Sequence, residues 1–498
     1  MKTILWFGVT FLLLLGVVLY FFHDETDFLQ TFSSNPKLED VNTVYKVDVE
    51  VYPDKKTAKA YMKIFTKNDT GRKQDKIYFQ VLANKFSDLD KLTSEAWRDF
   101  LGPHPEPGGL GFTKITVDGA VTDFKVNDTM LEIPIDNWEE NETIELTMEF
   151  DINVPFNEGT FSYTEDNIFF ANWLPTRTVY EKDGWYMNEF QPIGDPGYNE
   201  PADYFVSVTV PKEYHIATTG IEKSAPIEYE TKKTYKFEAE KVREFAMCVM
   251  DPKYKIKSEN VDGIMIRSWY TPESEESFEI YHSAAKKAFE HFNQAFGENP
   301  YDEFDIVPGP KTFTGMEYPG MTVVNSNHYN SGESYFISTI VHEIAHQWWY
   351  AVVGNHPIEE PWLDESLTNY STLQFLKEHY PELASYHAGR YQEITEQLPE
   401  LSKSGQSIST PTSGFPNDEL YAALIYGVGP QIFNKLEEEI GVKKMNEALA
   451  HYYENNQFAF ATKDDLLDSF RKVVGPETET YFNQWLNNQP VEYKENGN

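Results

Sequence analysis

The chain has 498 residues, of which 40% are hydrophobic and 24% are charged, so it can bury substantial cores and is not a disordered chain. The 80 acidic and 42 basic residues give a formal net charge of −38, which argues against binding to nucleic acid or to anionic membrane surfaces. Cys248 is the single cysteine, so intrachain disulfides and cysteine-based metal sites are excluded. Any metal must therefore be held by histidine and carboxylate side chains.

The amino-terminal residues 1–22 predict a membrane anchor. Ile4 to Phe22 is an uncharged, mostly apolar run, long enough as a helix to cross about 30 Å of hydrocarbon. A cleaved signal peptide is the alternative, but its apolar region is usually shorter and ends in small residues, whereas this run ends in Tyr20-Phe21-Phe22. Lys2 precedes the span and acidic residues follow it, so the positive-inside rule predicts a cytoplasmic amino terminus and places the remaining chain outside the cell.

A linker and a β-rich domain are expected next. Residues 23–40 are polar and lack periodicity, as a tether would. Apolar and polar residues then alternate from Tyr45 to Val51, from Ile144 to Ile152 and from Tyr204 to Val210, a period typical of half-buried strands. We therefore predict an antiparallel, sandwich-like β-rich domain over residues 41–255.

The pattern changes beyond residue 256. A strand is predicted at Ile264–Tyr270, an amphipathic helix from about Glu276 to Phe296, and another strand around Phe304–Val307. Helical patterns dominate from Ser334 onward, notably at Ile432–Ile440 and Lys444–Tyr453. The fold class predicted for the whole chain is α+β and multidomain, with a mainly helical second domain over residues 256–498.

The segment His342-Glu343-Ile344-Ala345-His346 predicts a metal site. Residues four apart share one face of a helix, so His342 and His346 can present two imidazoles to one ion, with Glu343 beside them. The alternative is a helix that carries two unrelated histidines. The flanking residues are strongly apolar, however, and three polar side chains in such a helix need a partner to offset their burial.

A catalytic zinc ion needs a third protein ligand and an open position for water. Glu365 lies in Trp362-Leu363-Asp364-Glu365, with 18 residues between it and His346. This gap leaves room for a loop and for the start of a second helix that returns to the metal. In so acidic a sequence a lone glutamate is weak evidence for a ligand. Most of the evidence for Glu365 comes from the residues around it.

The motif His342-Glu343-Ile344-Ala345-His346, the 18-residue gap and the segment Trp362-Leu363-Asp364-Glu365 resemble those of the gluzincin aminopeptidases, the family of alanyl aminopeptidase and leukotriene hydrolase. Upstream, Thr314–Gly320 is similar to the exopeptidase motif of that family, and Tyr426 falls where the family places its catalytic tyrosine. The resemblance covers about residues 41–490, including Asn172-Trp173-Leu174-Pro175 and Gly194-Asp195-Pro196. It implies a thermolysin-like catalytic domain and peptide substrates with a free amino terminus.

The resemblance also assigns roles to individual residues. It implies one zinc ion per chain, held by His342, His346 and Glu365, with Glu343 as the general base. The other implied roles are oxyanion stabilisation by Tyr426, binding of the substrate α-amino group by Glu317, and substrate contacts by Gly315 and Met316. A glycine at 315 lets another backbone approach closely, as an extended substrate requires.

The sequence departs from the family pattern at several positions. Tyr318 and Asp364 each replace the usual asparagine, Thr314 the usual glycine and Val428 the usual lysine. Because only about 70 residues follow Tyr426, we expect the family's long helical carboxy-terminal domain to be missing, which leaves an endopeptidase with an open cleft as one alternative. A surface binding protein that kept the fold and lost the chemistry is another. The sequence does not determine the oligomeric state or the preferred substrate.

Overall fold

The computed structural model describes residues 38, 40–187, 190–311 and 314–494. The chain divides into two units, Met1–Asp40 and Val41–Asn498, and the fold that the structure describes is that of the second unit. The predicted anchor over residues 1–22 and nearly all of the linker over residues 23–40 lie outside the described residues. Among the described residues, no helix is long and apolar enough to cross a membrane.

The described residues of the first half of this unit are rich in strands and include one α-helix, α1 (Glu95–Leu101). The strands are β1 (Thr43–Tyr52), β2 (Thr57–Lys67), β3 (Gln74–Gln80), β4 (Gly109–Val117), β5 (Ala120–Val121), β6 (Lys125–Asn127), β7 (Met130–Trp138), β8 (Thr143–Asn153), β9 (Phe161–Tyr163), β10 (Asn167–Phe170), β11 (Thr176–Arg177), β12 (Tyr180–Glu181), β13 (Gly184–Trp185), β14 (Ala202–Pro211), β15 (His215–Thr218), β16 (Ile221–Glu222), β17 (Ile227–Glu228), β18 (Lys232–Val242) and β19 (Met247–Met250).

These strands form one large sheet and smaller ones around it. The large sheet runs β16-β18-β14-β1-β2-β8-β4-β5, with β17 also beside β18, and two four-stranded sheets run β15-β19-β10-β9 and β11-β3-β7-β6. The three strands predicted from alternation are β1, β8 and β14, and their apolar residues are buried as that pattern requires. The β-rich part is therefore confirmed.

One pairing in the large sheet differs from the antiparallel arrangement that we predicted. β1 and β14 are parallel, with Val47 opposite Val206 and Val49 opposite Val208. A parallel pair needs a long crossover connection, and the chain between these two strands supplies it, since it forms β2 to β13, including the whole β11-β3-β7-β6 sheet. The other pairs in the large sheet are antiparallel.

The second half contains a mixed five-stranded sheet followed by helices. Its strands, in the order β20-β21-β22-β24-β23, are β20 (Lys255–Val261), β21 (Ile264–Tyr270), β22 (Glu303–Gly309), β23 (Gly315–Met316) and β24 (Met321–Asn325). The helices are α2 (Phe278–Phe296), α3 (Ser326–Ser331), α4 (Ile337–Ala345), α5 (Glu365–His379), α6 (Pro381–Glu396), α7 (Leu398–Leu401), α8 (Asp418–Tyr421), α9 (Gly429–Ile440), α10 (Val442–Asn456), α11 (Lys463–Val473) and α12 (Glu477–Leu486).

The core of this half surrounds α4. Its apolar residues Ile340, Val341 and Ile344 are fully buried, and α4 packs between α2 and α5. Behind its end, Trp348 and Trp349 fill the core, where Trp348 contacts the rings of α2. The predicted strands and helices of this half are confirmed, and its α+β character with them. This packing holds α4 rigidly beneath the site described below.

The two halves are joined by buried polar contacts. The guanidinium of Arg243, which follows β18, donates from Nε to the carbonyl of Tyr350 at 2.8 Å and from an Nη to that of Ala459 at 2.8 Å. The hydroxyl of Tyr318, in the second half, is hydrogen-bonded to the hydroxyl of Thr160 in the first half. These contacts unite both halves in one compact unit, Val41–Asn498. The domain boundary at residue 255 therefore stays a prediction.

Candidate metal centre and active site

The two histidines of the motif meet at the carboxyl-terminal end of α4. The helix ends at Ala345, and His346 keeps a helical backbone, its N–H lying 3.3 Å from the carbonyl of His342. Their imidazole rings are 4.6 Å apart and nearly perpendicular, at 87°. The Nε2 atoms are 3.0 Å apart, so both nitrogens face one point.

Glu365 completes a triangle with these nitrogens. It is the first residue of α5, and its Oε2 lies 3.4 Å from His342 Nε2 and 3.5 Å from His346 Nε2. Tetrahedral zinc ligands at about 2.0–2.1 Å from the ion stand about 3.3–3.4 Å from one another. Glu365 Oε2 is also buried and makes no hydrogen bond within the described part of the chain. The three side chains thus fit a metal ion, and they form one of the groups of ligand atoms that could hold one.

Asp364 orients the second histidine. Its Oδ1 lies 2.7 Å from Nδ1 of His346, and both side chains are buried. An ionised carboxylate only accepts hydrogen bonds, so Asp364 holds the proton on Nδ1 and leaves the Nε2 lone pair directed at the centre. Burial alone would lower the pKa of His346, but the charge of Asp364 outweighs it and raises that pKa well above its ordinary value. The aspartate that replaces the family's asparagine therefore keeps a ligand-orienting role.

The triangle also affects its own members electrostatically. Burial would raise the pKa of Glu365, but the adjoining imidazoles of His342 and His346 lower it below its ordinary range. Burial lowers the pKa of His342, which therefore stays neutral at neutral pH. An ionised Glu365 and a neutral His342 are the forms in which these side chains bind a divalent cation, whereas His346 must first lose the Nε2 proton that its raised pKa favours.

Glu343 lies beside the triangle, on the side of strand β23. It is 4% exposed, and its Oε2 has no hydrogen-bond partner among the described residues. Burial raises its pKa to about 8, which gives it an affinity for protons suited to a general base. A Cβ on Gly315 would lie 2.6 Å from Cδ of Glu343 and closer still to Oε1. The glycine thus makes room for the Glu343 carboxylate, and not only for a substrate backbone as we expected.

Glu317 follows Gly315 and Met316 at the edge of the five-stranded sheet. Gly315 and Met316 pair with Val324 and Val323, so β23 is the last strand of this sheet. Gln347, which follows the second histidine, receives a hydrogen bond from the N–H of Gly320 at 2.9 Å and donates to the carbonyl of Tyr318 at 3.2 Å. These bonds fix Glu317 beside the metal-ligand triangle, where it is 5% exposed.

Sequence reasoning assigned no role to Asp195. One carboxylate oxygen each of Asp195, Glu317 and Glu365 lies within 4.8 Å of the others. Burial raises the pKa of Glu317 well above its ordinary value, and Asp195 raises it further. The segment Gly194-Asp195-Pro196 had been noted as part of the resemblance, but only the fold brings this loop of the β-rich half to the site.

Tyr426 lies in a π-helix, Ala422–Val428, which runs directly into α9. Two side chains of α5 bind the carbonyls of this helix, since Ser366 donates to Ile425 at 2.6 Å and Asn369 donates to Tyr426 at 3.0 Å. The ring of Tyr426 is 6.2 Å from that of His342. Burial raises its pKa, and Glu365 adds to the shift, so its hydroxyl stays protonated and is able to donate a hydrogen bond. The π-helix thus positions Tyr426 relative to α5, the helix that carries Glu365.

All eight predicted site residues therefore occupy one region. The structure places the three metal-ligand candidates together, with Glu343 and Gly315 on one side and Glu317 nearby. Tyr426 approaches the same region from the π-helix Ala422–Val428. Met316 is the least direct member, because it packs partly against a core cluster between the two halves.

Comparison with known proteins agrees with this arrangement. Residues 281–485 match the peptidase family M1 domain. The chain is 22% identical over 382 residues to glutamyl aminopeptidase of Rattus norvegicus, which covers 70% of this chain and 40% of that protein. It is also 22% identical over 338 residues to aminopeptidase 2 of Candida albicans, covering 63% of this chain and 36% of the relative. The chain thus spans less than half the length of these relatives.

The fold has a counterpart among solved structures. An M1 zinc metallopeptidase from Deinococcus radiodurans superimposes with a TM-score of 0.64 at 15% identity, over 91% of this chain and 96% of that one. At this identity the likeness concerns the fold alone. Residues 281–485 therefore carry a peptidase family M1 domain, which confirms the resemblance to the gluzincin aminopeptidases.

Proposed function

We propose that this protein is a zinc-dependent aminopeptidase, which hydrolyses the first peptide bond of peptides that have a free amino terminus. The observation that carries the proposal is the triangle of His342 Nε2, His346 Nε2 and Glu365 Oε2, with edges of 3.0, 3.4 and 3.5 Å, beside the buried carboxylate of Glu343. Two imidazoles and one carboxylate are a typical ligand set of catalytic zinc, which keeps a further position open. The names of the relatives support the same activity.

The side chains around the triangle divide the chemistry among them. A bound zinc ion would act as a Lewis acid that polarises the scissile carbonyl and makes water a stronger nucleophile at neutral pH. Glu343 takes a proton from the attacking water and delivers it to the leaving amine. Tyr426 donates its hydroxyl proton in a hydrogen bond to the oxygen on which negative charge develops, an interaction worth about 3 kcal/mol in comparable sites.

The acidic residues next to the triangle account for a preference for free amino termini. Glu317 and Asp195 place two carboxylates close together in a largely buried position, where an α-ammonium group offsets their repulsion. An acetylated amino terminus lacks the positive charge and leaves both carboxylates without that partner. Because β23 ends its sheet, its backbone offers an edge along which an extended peptide can lie, which matches the roles proposed for Gly315 and Met316.

An assay with paired substrates tests this function. The zinc-loaded chain is given an aminoacyl amide with a free amine and its acetylated counterpart, and only the first should be cleaved. The Glu317→Gln variant should lose about 10-fold to 100-fold in kcat/KM on the free-amine substrate, corresponding to about 1.4–2.7 kcal/mol. Glu382→Gln, a change of an exposed glutamate on α6, is the matched control and should leave the activity unchanged.

Other results would favour the alternatives. Equal cleavage of both substrates would replace the aminopeptidase with an endopeptidase and remove the assigned role of Glu317. A chain that binds zinc but cleaves nothing in a broad peptide panel would indicate a binding protein. The Glu343→Gln variant should be inactive and still retain its zinc, so activity in that variant would show that another group acts as the base.

We further propose that Ile4–Phe22 anchors the protein in the cell membrane as a single span, with the amino terminus in the cytoplasm and the catalytic part outside. The support is the uncharged run itself, with Lys2 before it and acidic residues after it. Fractionation of cells that express the full chain tests this proposal, together with protease treatment of intact cells. Recovery of the uncleaved chain in the soluble fraction would contradict it.

A further inference from the structure

A second cluster of metal-binding side chains lies between α2 and α5, apart from the site described above. His291 comes from the last turns of α2, while Glu378 and His379 end α5. One ligand atom from each of the three lies within 4.8 Å of the other two. The cluster has the same composition as the candidate catalytic site, with two imidazoles and one carboxylate.

The geometry of the cluster resembles that of the triangle at the active site. Nδ1 of His291 is 3.4 Å from Oε2 of Glu378, which matches the separation of about 3.3–3.4 Å between two tetrahedral ligands of one zinc ion. The rings of His291 and His379 are 5.5 Å apart and close to perpendicular, at 79°. Phe375 contacts both rings and so restricts their orientation.

His291 is a buried histidine whose hydrogen bonding is incomplete. Its side chain is 9% exposed, and its Nε2 is buried without a hydrogen-bond partner among the described residues. Beside this ring lies Gln374, whose Oε1 is likewise buried and unpaired, while its amide nitrogen is bound to Tyr370 and Asn446. In the tautomer with a proton on Nε2, that N–H faces the free acceptor of Gln374 and the Nδ1 lone pair faces Glu378.

With the proton on Nε2, the Nδ1 lone pair and the Glu378 carboxylate face each other, and a cation between them would satisfy both. Lys287 and Glu290 lie on the same helix as His291 and carry opposite charges near the cluster. Neutral imidazoles are the form in which histidine binds metal ions.

We propose that His291, Glu378 and His379 form a second binding site for a divalent transition-metal ion, with Zn²⁺ as its natural occupant. Two imidazole ligands favour zinc and its neighbours over Mg²⁺ and Ca²⁺, which take oxygen ligands. The side chain of Glu378 is 67% exposed, so solvent completes the coordination, and the site binds more weakly than the buried one. It is a separate site, since His379 lies 14 positions after Glu365 on α5, about 21 Å along the helix.

The ion would act as a clamp. It ties the carboxyl-terminal end of α5 to α2, and α5 carries Glu365 at its other end. Because α4 packs between the same two helices, an ion here stabilises the frame that holds the catalytic ligands without touching them. Occupancy should therefore raise the melting temperature, while turnover well below that temperature stays the same.

The experiment counts metal ions in the full chain. The metal-depleted protein is titrated with Zn²⁺, and bound zinc is measured by mass spectrometry after removal of free ion, beside the melting temperature. We expect two zinc ions per wild-type chain and one in the His379→Ala variant, which keeps its peptidase activity. His328→Ala is the matched control, because His328 is an exposed histidine that faces Glu333 at 3.9 Å without a second imidazole, and this variant should bind two ions.

A second variant assigns the ions to their sites. Glu365→Ala removes a ligand from the triangle, so the ion that remains should raise its melting temperature, and adding His379→Ala should abolish that rise. One zinc ion per wild-type chain at up to about 100-fold excess of Zn²⁺ would overturn the proposal. So would two ions that persist in both His379→Ala and Glu378→Gln. These outcomes do not depend on peptidase activity, so a failure of the proposed function would be seen separately.

Discussion

The contact between Gly315 and Glu343 gives a prediction that separates catalysis from stability. A Cβ on Gly315 would lie 2.6 Å from Cδ of Glu343, whereas nonbonded carbon atoms normally stay about 3.5 Å apart. In the Gly315→Ala variant the carboxyl group must therefore move by about 1 Å. The group that yields is the end of a flexible side chain, so the fold should lose little stability, yet the base leaves its position.

A displacement of about 1 Å in a catalytic group can cost about 100-fold in rate. We expect kcat of Gly315→Ala to fall by that factor, equivalent to about 2.7 kcal/mol of transition-state stabilisation, with zinc content and melting temperature close to those of the wild type. The assay is steady-state turnover of a free-amine aminoacyl amide, with zinc measured on the same samples. Gly111→Ala is the matched control, since Gly111 also lies in a strand and no described atom lies within 4 Å of a Cβ built there.

A double-mutant cycle sharpens this test. Glu343→Asp shortens the side chain by one methylene, so Gly315→Ala should cost less in the Glu343→Asp background than in the wild type. Unchanged kcat in Gly315→Ala would refute the placement of the base against this glycine. Loss of zinc in that variant would also refute it, because the structure places the added methyl group against Glu343 and not against a metal ligand.

Two further predictions concern buried carboxylates. Asp364→Ala leaves Nδ1 of His346 without its carboxylate, and we expect the affinity for zinc, measured by competition with a chelator, to fall by about 10-fold to 100-fold. Asp364→Asn can still accept that hydrogen bond and should lose much less affinity. Equal losses in the two variants would contradict the orienting role of Asp364. Burial raises the pKa of Glu244 from 4.5 to about 7, so its contribution to the free energy of unfolding is full below pH 4.5 and is lost as the pH rises toward 7. Glu244→Gln should therefore gain stability relative to the wild type between pH 5 and pH 8, by up to about 3 kcal/mol in chemical denaturation, while Glu240→Gln, a change of an exposed residue, should show no such trend.

The sequence by itself determined much of the local structure. Alternation of apolar and polar residues identified β1, β8 and β14, because a strand with one buried face must repeat every two residues. The spacing of His342 and His346 placed both on one face of a helix, because residues four apart lie one above the other on successive turns. Glu365 was found from its neighbours in the sequence, and its position at the start of a helix was expected.

Only the tertiary structure decided which distant residues meet. Asp195 comes from the β-rich half and reaches Glu317 because the packing of the two halves brings its loop there, which no local pattern encodes. The same holds for the parallel pairing of β1 with β14, for the contact that makes Gly315 necessary beside Glu343, and for the approach of His291 to His379. Periodicity and spacing describe neighbours along one element, whereas these contacts join elements far apart in the chain and depend on how the whole core packs.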